Sequence, residues 1–544
     1  MSSRTAISIA APDPVLPKSG VIHYPVSPGL AAMFDEYGEK YRWLVLIAVM
    51  LVSISVWLPA TMINVAIPEI MGAFGIDQNK AQWLSAGFLA ANTATMLLTS
   101  WLLHAFGMRM VMVWGLTAFI GVSLVGGLAT HEDTVIMVRI LQGAIVGPLA
   151  PMTMIITFQI FPPERRGLAM GLFSMVMTLA PSMGPTVGGI VIDAFNWRYI
   201  FFGILPIIGI CIPLCLMFLP EREHTGPRAP FDWTGMIVLS IALSLLLIGL
   251  SNGQREGWHS DFILACLIGA AVSCVAFVVW EMKADHPMLD LRAFTYPVFV
   301  ATAIVAFVSS VGLYGMTYLA PLFLQLVQNV DALNTGILFI PAGLAMALIF
   351  PVSGYLSDRV SIRGLIIVGL LLFALSAWWL NDLSVDTPHW WFVATLAIGR
   401  LGLGLTMTPL NLASMSSLPP QLIGQASGVS SFMRQLGGAL GVNLLAVELA
   451  QRTAFYHGNF MSSQTFGNPQ TMEVFTRMRE NYTMVGVPEV YQPMMTMGYL
   501  NYNANMQAMT MGFRDSFLTL ALIFILCLIP TWFIRWQSPA ARAR

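Results

Sequence analysis

The stretch Ser100-Trp-Leu-Leu-His104-Ala-Phe-Gly107-Met-Arg109 recurs in altered form as Gly354-Tyr-Leu-Ser-Asp358-Arg359-Val-Ser-Ile-Arg363. Two further pairs follow in the same order. Arg139 has a proline nine positions later, as Arg400 does, and the same glycine and alanine spacing follows the Pro-Pro pairs at 162–163 and 419–420. Each match alone is weak, but three in one order indicate an internal repeat of two related halves.

The composition around this repeat excludes a water-solvated exterior. Of the 544 residues, 57% are hydrophobic and 10% are charged, whereas soluble domains have about 25% charged residues. Fourteen apolar stretches approach the length of about 20 residues that a spanning helix needs. We therefore predict an all-α membrane protein with 14 transmembrane helices in a lipid bilayer. The net charge of -1 argues against a nucleic-acid partner, which calls for a clustered basic face.

Basic residues concentrate in alternate loops, and this asymmetry predicts the sidedness of the chain. The loops on one side carry Arg109, Arg165 and Arg166, Arg222 and Arg228, Lys283 and Arg292, and Arg359 and Arg363. Lys40 and Arg42 before the first span, and Arg535 after the last, fall on the same side. Both termini are therefore expected in the cytoplasm, as an even number of helices requires.

The repeat and the helix count together predict four segments. Residues 1–42 form a cytoplasmic tail that ends in an interfacial helix, and residues 43–219 form a six-helix bundle. Residues 220–296 form a linker with two extra transmembrane helices. Residues 297–544 form the second six-helix bundle, with a periplasmic loop at 449–513. Parallel repeats of this kind build transporters whose substrate site lies between the halves near mid-membrane.

Several motifs resemble those of the major facilitator superfamily, and specifically its fourteen-helix drug:proton antiporter branch of the EmrB type. The stretch from Ala180 to Gly189 resembles the fifth-helix antiporter motif and is the most specific of them. The others are Asn64-Val-Ala-Ile-Pro68, Arg139-Ile-Leu-Gln142-Gly143, Trp197-Arg198-Tyr-Ile-Phe201, Phe231-Asp232-Trp233, Trp280-Glu281 with Pro287 and Asp290-Leu291, and Arg434-Gln-Leu-Gly437-Gly438. The resemblance implies the major facilitator fold, with two six-helix bundles plus two central helices.

The resemblance also implies a function. It implies efflux of small amphipathic substrates or drugs across the bacterial inner membrane by proton antiport, with the proton gradient as energy source and no cofactor. It further implies a periplasmic membrane-fusion adaptor and an outer-membrane channel as partners.

Two departures from the branch stand out. Pro59 occupies the place of an acidic residue associated with proton coupling, and His104 occupies the place of an aspartate in the first gating motif. Glu69, Asp193 and Glu448 are the alternative proton carriers.

Polar residues inside the predicted spans are the candidates for the substrate and proton pathway. A charge in mid-membrane costs about 2.5–3.5 kcal/mol on insertion scales, so a retained one is a functional candidate. We expect Arg139 to face the central cavity, where it would hold an anionic substrate group or set the proton affinity of a neighbouring acid. The alternative is a charge satisfied by helix carbonyls. The full set is Arg139, Gln142, Asn64, Asn92, Tyr318, Gln325, Asn411 and Arg434; the neutral members could equally join helices.

A second set of residues suits gating. Proline removes a backbone donor and glycine lets helices approach closely. Gly184, Pro185, Gly188 and Gly189 are therefore expected to bend the fifth helix against the other bundle, or else to serve ordinary close packing. In the 354–363 loop, Asp358 is expected to cap a neighbouring helix N-terminus and to pair with Arg359 or Arg363.

Enzyme chemistry has little support in the sequence. No nucleotide-binding loop and no His-Glu-x-x-His site is present, and no catalytic residue or metal site is predicted. We therefore predict a transporter and no enzyme. A facilitator or importer of a small organic solute on the same fold is the closest alternative, followed by an intramembrane enzyme and by a sensor that does not transport.

Overall fold

The computed structural model describes residues 28–222, 230–284, 287–465 and 467–534. These residues form helices and connections without a strand. The predicted tail before residue 28, Arg228 and the basic residues from 535 onward lie outside the described residues. The helices of the first half are α1 (Pro28–Tyr37), α2 (Tyr41–Phe74), α3 (Gln78–Met96), α4 (Thr99–Phe106), α5 (Met108–Gly127), α6 (Glu132–Ile160), α7 (Arg166–Ala194), α8 (Tyr199–Phe202) and α9 (Leu205–Phe218).

Two helices follow in the centre of the chain, and the second half completes the fold. The central pair is α10 (Trp233–Glu256) and α11 (Asp261–Lys283). The second half comprises α12 (Pro297–Leu326), α13 (Ala332–Ser357), α14 (Ile362–Trp379), α15 (His389–Ser416), α16 (Ile423–Ser463), α17 (Pro469–Met484), α18 (Gln492–Leu526) and α19 (Leu528–Thr531). Long helices suit a bilayer because every backbone N–H and C=O is then satisfied within its own segment.

The predicted number of spans needs a correction in detail. Among the described residues, twelve helices are long and apolar enough to cross a membrane. A thirteenth crossing results if Lys80–Met96 and Thr99–Phe106, which meet at a 59° bend, are counted as one span. The fourteenth long helix is α16, which packs against α12 and α18 of the second half. Its apolarity falls short of the others because polar residues such as Gln425, Arg434 and Glu448 interrupt it.

Packing groups the helices into two halves and a central pair. In the first half, α2 lies against α7 and α9, and α3 lies against α6. In the second half, α12 lies against α16, and α13 and α14 both lie against α15. The central pair, α10 and α11, pack against each other, and α10 also reaches α3 and α16. The all-α architecture predicted from the sequence is therefore confirmed.

One face of the bundle collects the helix ends that matter for gating. The Tyr41 hydroxyl donates to the carbonyl of Phe218 at 2.8 Å, so α2 begins where α9 ends. Because successive long helices run in opposite directions, α7, α10 and α16 begin at this face, and α4, α11 and α13 end there. We call it the terminal face. The short helix α1 packs at the same face through buried Leu30 and Phe34, near the predicted interfacial helix.

The segment 449–513, predicted as a periplasmic loop, is mostly helical instead. The helix α16 continues to Ser463, α17 spans Pro469–Met484, and α18 already begins at Gln492. The two spanning helices therefore extend beyond the bundle on the face opposite the terminal face. Exposed apolar side chains lie at the tip, with Met484 at 79%, Val485 at 81% and Val490 at 84% exposure. The mainly polar composition of the segment hid these helices from a search for apolar runs.

Candidate transport site and gate

The two halves meet at the terminal face through glycines on α7 and α13. A β-carbon at Gly167 would collide with the carbonyl oxygen of Gly354, and a β-carbon at Gly354 would collide with that of Gly167. Gly171 lies in the same way against the carbonyl of Phe350. Absence of side chains thus lets the two backbones touch, as small residues do in membrane helix pairs. The terminal face is closed in this structure.

Asp358 stabilises this contact between α7 and α13, which we call the seam. Its Oδ1 accepts the backbone N–H of Gly167 at 2.7 Å, and its Oδ2 accepts that of Leu168 at 3.0 Å. These are free N–H groups in the first turn of α7, so the carboxylate caps a helix of the other half, as predicted. Burial raises the pKa of Asp358 to about 6, against the opposing effect of the two backbone donors. The predicted ion pairs are absent, because Arg359 lies over the Tyr355 ring and Arg363 over the Trp532 ring.

Away from the terminal face, α7 and α13 diverge. The stripe of α7 that begins with Gly167 and Gly171 continues towards Pro185, which is exposed, and Gly189, whose β-carbon position meets nothing within 4 Å. On α13, Ile340 is 56% exposed and the β-carbon position of Gly343 is likewise open. The gap between the halves therefore opens towards the opposite face.

At the depth where the halves part, Arg434 organises a polar cluster. Its guanidinium donates to Asn411 Oδ1 at 2.8 Å, to Ser430 Oγ at 3.2 Å and to Ser431 Oγ at 2.8 Å. Asn411 is 7% exposed and donates across the seam to Ser174 Oγ at 3.4 Å. Arg434 and Asn411, both predicted as pathway residues, thus belong to one chain of hydrogen bonds that joins α16 and α15 to α7.

A second arginine lies on the inner side of the same half. Arg400 on α15 donates to Thr317 Oγ1 on α12 at 2.8 Å. One turn before Thr317, Tyr314 is 41% exposed, and its ring covers Gly438, where a β-carbon would have no room. Of the predicted pathway residues on α12, Tyr318 is partly buried and Gln325 is exposed.

Arg139 lies in the first half, and the structure closes it off. It is 1% exposed and donates to the carbonyl of Leu84 at 3.0 Å and to Gln142 Oε1 at 2.9 Å. Its guanidinium also lies 4.4 Å from the centre of the Phe88 ring, a cation–π contact. Gln142 in turn donates to Ser123 Oγ at 2.8 Å. In this conformation Arg139 does not face an open cavity, and the alternative of satisfaction by carbonyls describes its surroundings.

Arg139, Arg400 and Arg434 are all bonded to neutral groups. In the ranges that the structure describes, no carboxylate forms an ion pair with Arg139, Arg400 or Arg434. Their positive charges are met only by neutral oxygens and rings. An anionic group that entered the gap beside Arg400 or Arg434 would therefore meet an uncompensated charge.

The remaining predicted pathway residues lie in different environments. Asn64 is exposed, and its Oδ1 accepts the Ser85 hydroxyl at 2.8 Å. Asn92 is 0% exposed, and neither its oxygen nor its nitrogen has a hydrogen-bond partner. Asn64 joins α2 to α3, whereas Asn92 lies inside the first half, so the structure does not gather all the predicted residues into one site.

The expectation that the fifth-helix glycines pack against the other half is wrong for this conformation. Gly184 and Gly188 lie against α2 of the same half, where β-carbons would meet Thr61 and Met62. Pro185 cannot donate to the carbonyl of Pro181 four residues earlier. The Thr61 hydroxyl donates to that carbonyl instead, at 2.9 Å. The motif therefore joins α7 to α2 while Gly167 and Gly171 make the contact between halves.

Several residues of the cluster escaped the sequence analysis. Ser174, Ser430, Ser431 and Thr317 are small polar residues that are common in membrane helices, so composition does not single them out. One signal was available, because Ser430 and Ser431 stand four and three residues before Arg434 and must share its face of a helix. The pairing of Ser174 with Asn411 joins positions 237 residues apart, and no local pattern reveals it.

Comparison with known proteins now decides the family. The sequence profile described as Major Facilitator Superfamily matches residues 45–442. The chain belongs to this superfamily. It is 31% identical to the MFS-type transporter YhcA of Bacillus subtilis over 477 residues, which cover 87% of this chain and 89% of YhcA. It is 27% identical to the multidrug export protein EmrB of Escherichia coli over 485 residues, which cover 88% and 92% of the two chains.

Solved structures agree on the fold. The structure of the proton:xylose symporter XylE bound to 6-bromo-6-deoxy-D-glucose superposes with a TM-score of 0.59 at 14% identity, covering 91% of this chain and 96% of that one. The predicted resemblance to EmrB-like members of the superfamily is confirmed. The protein is a multi-pass membrane transporter with multidrug-export relatives, and the prediction that it is not an enzyme is confirmed.

Proposed function

We propose that the protein exports amphipathic organic molecules across the bacterial inner membrane in exchange for protons, with the terminal face in the cytoplasm. The observation that carries the proposal is the chain of hydrogen bonds from Arg434 through Asn411 to Ser174. Within the described residues the Arg434 guanidinium in this chain has no carboxylate partner, and it lies at the depth where the two halves separate. Substrate bound there would contact both halves, which is what alternating access requires.

The direction of transport rests on the basic loops and on the state of the gate. The positive-inside rule puts the terminal face, with Arg109, Arg166 and Arg359, in the cytoplasm. The seam at Gly167 and Gly354 is then the closed cytoplasmic gate, and the gap is open to the periplasm. An exporter adopts such a state when it releases substrate. The export function of EmrB is consistent with this direction.

The charge of the site favours substrates that carry an anionic group. Arg400 and Arg434 offer uncompensated guanidinium groups, which bind carboxylates in a planar, two-donor geometry. The ring of Tyr314, which is 41% exposed, supplies apolar contact for the rest of the molecule. An amphipathic organic acid therefore satisfies both parts of the site. Uptake of a proton in exchange keeps the movement driven by the proton gradient, with no cofactor.

A periplasmic adaptor is a further part of the proposal. The extended helices α16 and α18, with α17 between them, project on the proposed periplasmic face and expose Met484, Val485 and Val490 at the tip. An apolar tip on a polar projection suits a contact with another protein. The resemblance to the EmrB branch favours a membrane-fusion adaptor that leads to an outer-membrane channel.

The test uses everted membrane vesicles with an acid interior and a pH-sensitive dye. A panel of lipophilic anions, lipophilic cations and neutral solutes is added, and movement of the same compounds is measured directly. Wild type is expected to release protons on addition of the anions, and Arg434→Gln to respond at least tenfold more weakly, roughly the loss of one charge-assisted contact. Arg452→Gln, a change on the same helix at an exposed residue that pairs with Asp515, is expected to behave as wild type.

Two results would contradict the proposal. If compounds move at equal rates with and without a proton gradient, the protein is a facilitator, the alternative that the sequence left open. If only lipophilic cations release protons, and Arg434→Gln leaves their response intact, the arginine cluster does not select the substrate.

A further inference from the structure

Two acidic side chains meet at the terminal end of the central helix pair. Asp232 is the residue before α10, and its Oδ1 accepts the Gly235 N–H at 2.9 Å and the Trp280 Nε1–H at 2.9 Å. Glu281, one residue after Trp280 on α11, is 4% exposed, and its Oε2 accepts the Leu289 N–H at 3.1 Å. Each carboxyl group is therefore fixed by one of its two oxygens.

The other oxygen of each group is buried and has no partner. Asp232 Oδ2 and Glu281 Oε1 both lack a hydrogen bond. Both oxygens lie within 3.0 Å of the point where a β-carbon of Gly235 would stand. The distance between the two oxygens is therefore at most about 6 Å. Glycine at position 235 is what leaves the space between them. A buried acceptor without a donor costs about 1–3 kcal/mol, and more for a charged group.

We propose that Asp232 and Glu281 share one proton. A proton on Glu281 Oε1 turns that oxygen into a donor, and a rotation of the two carboxyl groups towards each other lets it donate to Asp232 Oδ2, so that a single hydrogen bond satisfies both unpartnered atoms. With no proton, two carboxylates repel each other inside the protein. With two protons, the second hydroxyl has no acceptor among the atoms already engaged. One proton for the pair is the state that the geometry accommodates, as in other carboxyl pairs.

Among the residues that the structure describes, no lysine or arginine forms an ion pair with Asp232 or Glu281 that would replace the proton. Asp232 is the ionisable group that acts on Glu281. The helices packed on α10 besides α11 are α3, which ends at the uncharged Met96, and α16, whose uncharged Gln425 donates to the Met288 carbonyl. On α4, whose Trp101 contacts Phe231, the titratable residue is His104, held on the Ser100 carbonyl. Lys283 is exposed. In the part of the chain that the structure describes, no group of three or more His, Cys, Asp or Glu residues is placed to hold a metal ion.

The shared proton would brace the connection between the central pair and the second half. Glu281 holds the backbone of Leu289, and the carbonyl of the preceding Met288 accepts the Gln425 side-chain amide at 3.2 Å. Gln425 lies in the first turn of α16, beside Gly424, which packs on Ser100 of the first half. Loss of the proton would drive Glu281 away from Asp232 and loosen this link at the terminal face.

Infrared difference spectra of the purified full-length protein across a pH series test the proposal. Wild type is expected to show the carbonyl-stretch band of a buried protonated carboxyl group besides the one from Asp358, and Glu281→Gln to lose this band while the Asp358 band stays. Glutamine is a neutral mimic of the protonated acid and can still donate to Asp232. The melting temperature of wild type is expected to fall as the pH rises and the proton leaves. That of Glu281→Gln should fall less, because only Asp358 still contributes to the fall, so the gap between them widens with pH.

A matched pair controls for helix capping. Asp331 caps α13 through the Asn334 N–H but is exposed and has no acidic neighbour of this kind. Asp232→Asn is expected to abolish the band, and Asp331→Asn to leave it unchanged. If the band survives Glu281→Gln and Asp232→Asn, the pair holds no proton. If added sodium, magnesium or calcium ions raise the melting temperature of wild type but not of Glu281→Gln, the site binds a cation instead, and the proposal is overturned.

Discussion

Closure of the terminal face is expected to depend on pH through Asp358. In the closed state burial raises the pKa of its carboxyl group to about 6 from an ordinary 3.8. In an open state, with α7 drawn away, the carboxyl group returns to water and to its ordinary value. At a pH between these two pKa values, Asp358 takes up a proton when the terminal face closes. Acid therefore favours the closed state. The advantage is fully present below the ordinary value and is lost as the pH rises through about 6.

The size of this effect follows from the shift. Each unit of pKa corresponds to 1.36 kcal/mol, so a shift of about two units would give about 3 kcal/mol if Asp358 were shielded from water. Because the residue is only about half buried, solvent screening lowers the figure to about 1–2 kcal/mol. The ratio of closed to open protein should therefore change about five- to thirty-fold across the titration. Asp358→Asn, which cannot ionise, removes this dependence.

A distance measurement across the seam reports the two states. Spin labels are placed at Arg165→Cys and Val360→Cys, both exposed and on either side of Asp358, in a background without the five native cysteines. Distance distributions are recorded from about pH 8 to about pH 5, a range that brackets the titration. Wild type should shift towards the short distance in acid, and Asp358→Asn should not. Glu164→Gln, which removes a nearby acid that makes no bond to α7, should keep the shift. An unchanged pH response in Asp358→Asn would refute the reasoning.

Three further substitutions test the seam, the α2–α7 contact and the buried arginine. Gly354→Ala forces a β-carbon against the Gly167 carbonyl and should disfavour the closed state by about 1–3 kcal/mol, seen as loss of the short distance. Thr61→Val leaves the Pro181 carbonyl without a donor and should lower the free energy of unfolding by about 1–3 kcal/mol in thermal melts. Arg139→Met should lower the melting temperature, because the buried Gln142 Oε1 loses its donor, and transport in vesicles should fall as well.

The first two of these substitutions have matched controls. Gly343→Ala lies on the same helix where the β-carbon position is open, and it should leave the distance distribution unchanged. Thr61→Ser keeps the hydroxyl and should restore stability. Equal distances for both alanine variants, or equal melts for Thr61→Val and Thr61→Ser, would contradict the contacts described. A stable Arg139→Met protein that transports as wild type would remove Arg139 from the pathway.

The sequence alone determined that the chain is a helical membrane protein with two related halves. Composition, the lengths of apolar runs and the spacing of repeated motifs are properties of the chain order, so they survive without coordinates. The capping role of Asp358 was also predictable, because its place just after an apolar run puts it at a helix end. The apolar runs, from which the spanning helices were predicted, missed two features of the fold. They hid the polar helices of 449–513, and they gave no warning of the bend between Met96 and Thr99.

Only the tertiary structure decided which residues act together. Gly167 faces the other half and Gly184 does not, because rotation about the α7 axis and its divergence from α13 fix the partners. Arg434 is linked to Ser174 only through Asn411, which α15 positions between them. The unpartnered oxygens of Glu281 and Asp232 both lie near Gly235 because α10 begins where α11 ends. Contacts between distant parts of the chain depend on packing geometry, and no local sequence pattern encodes it.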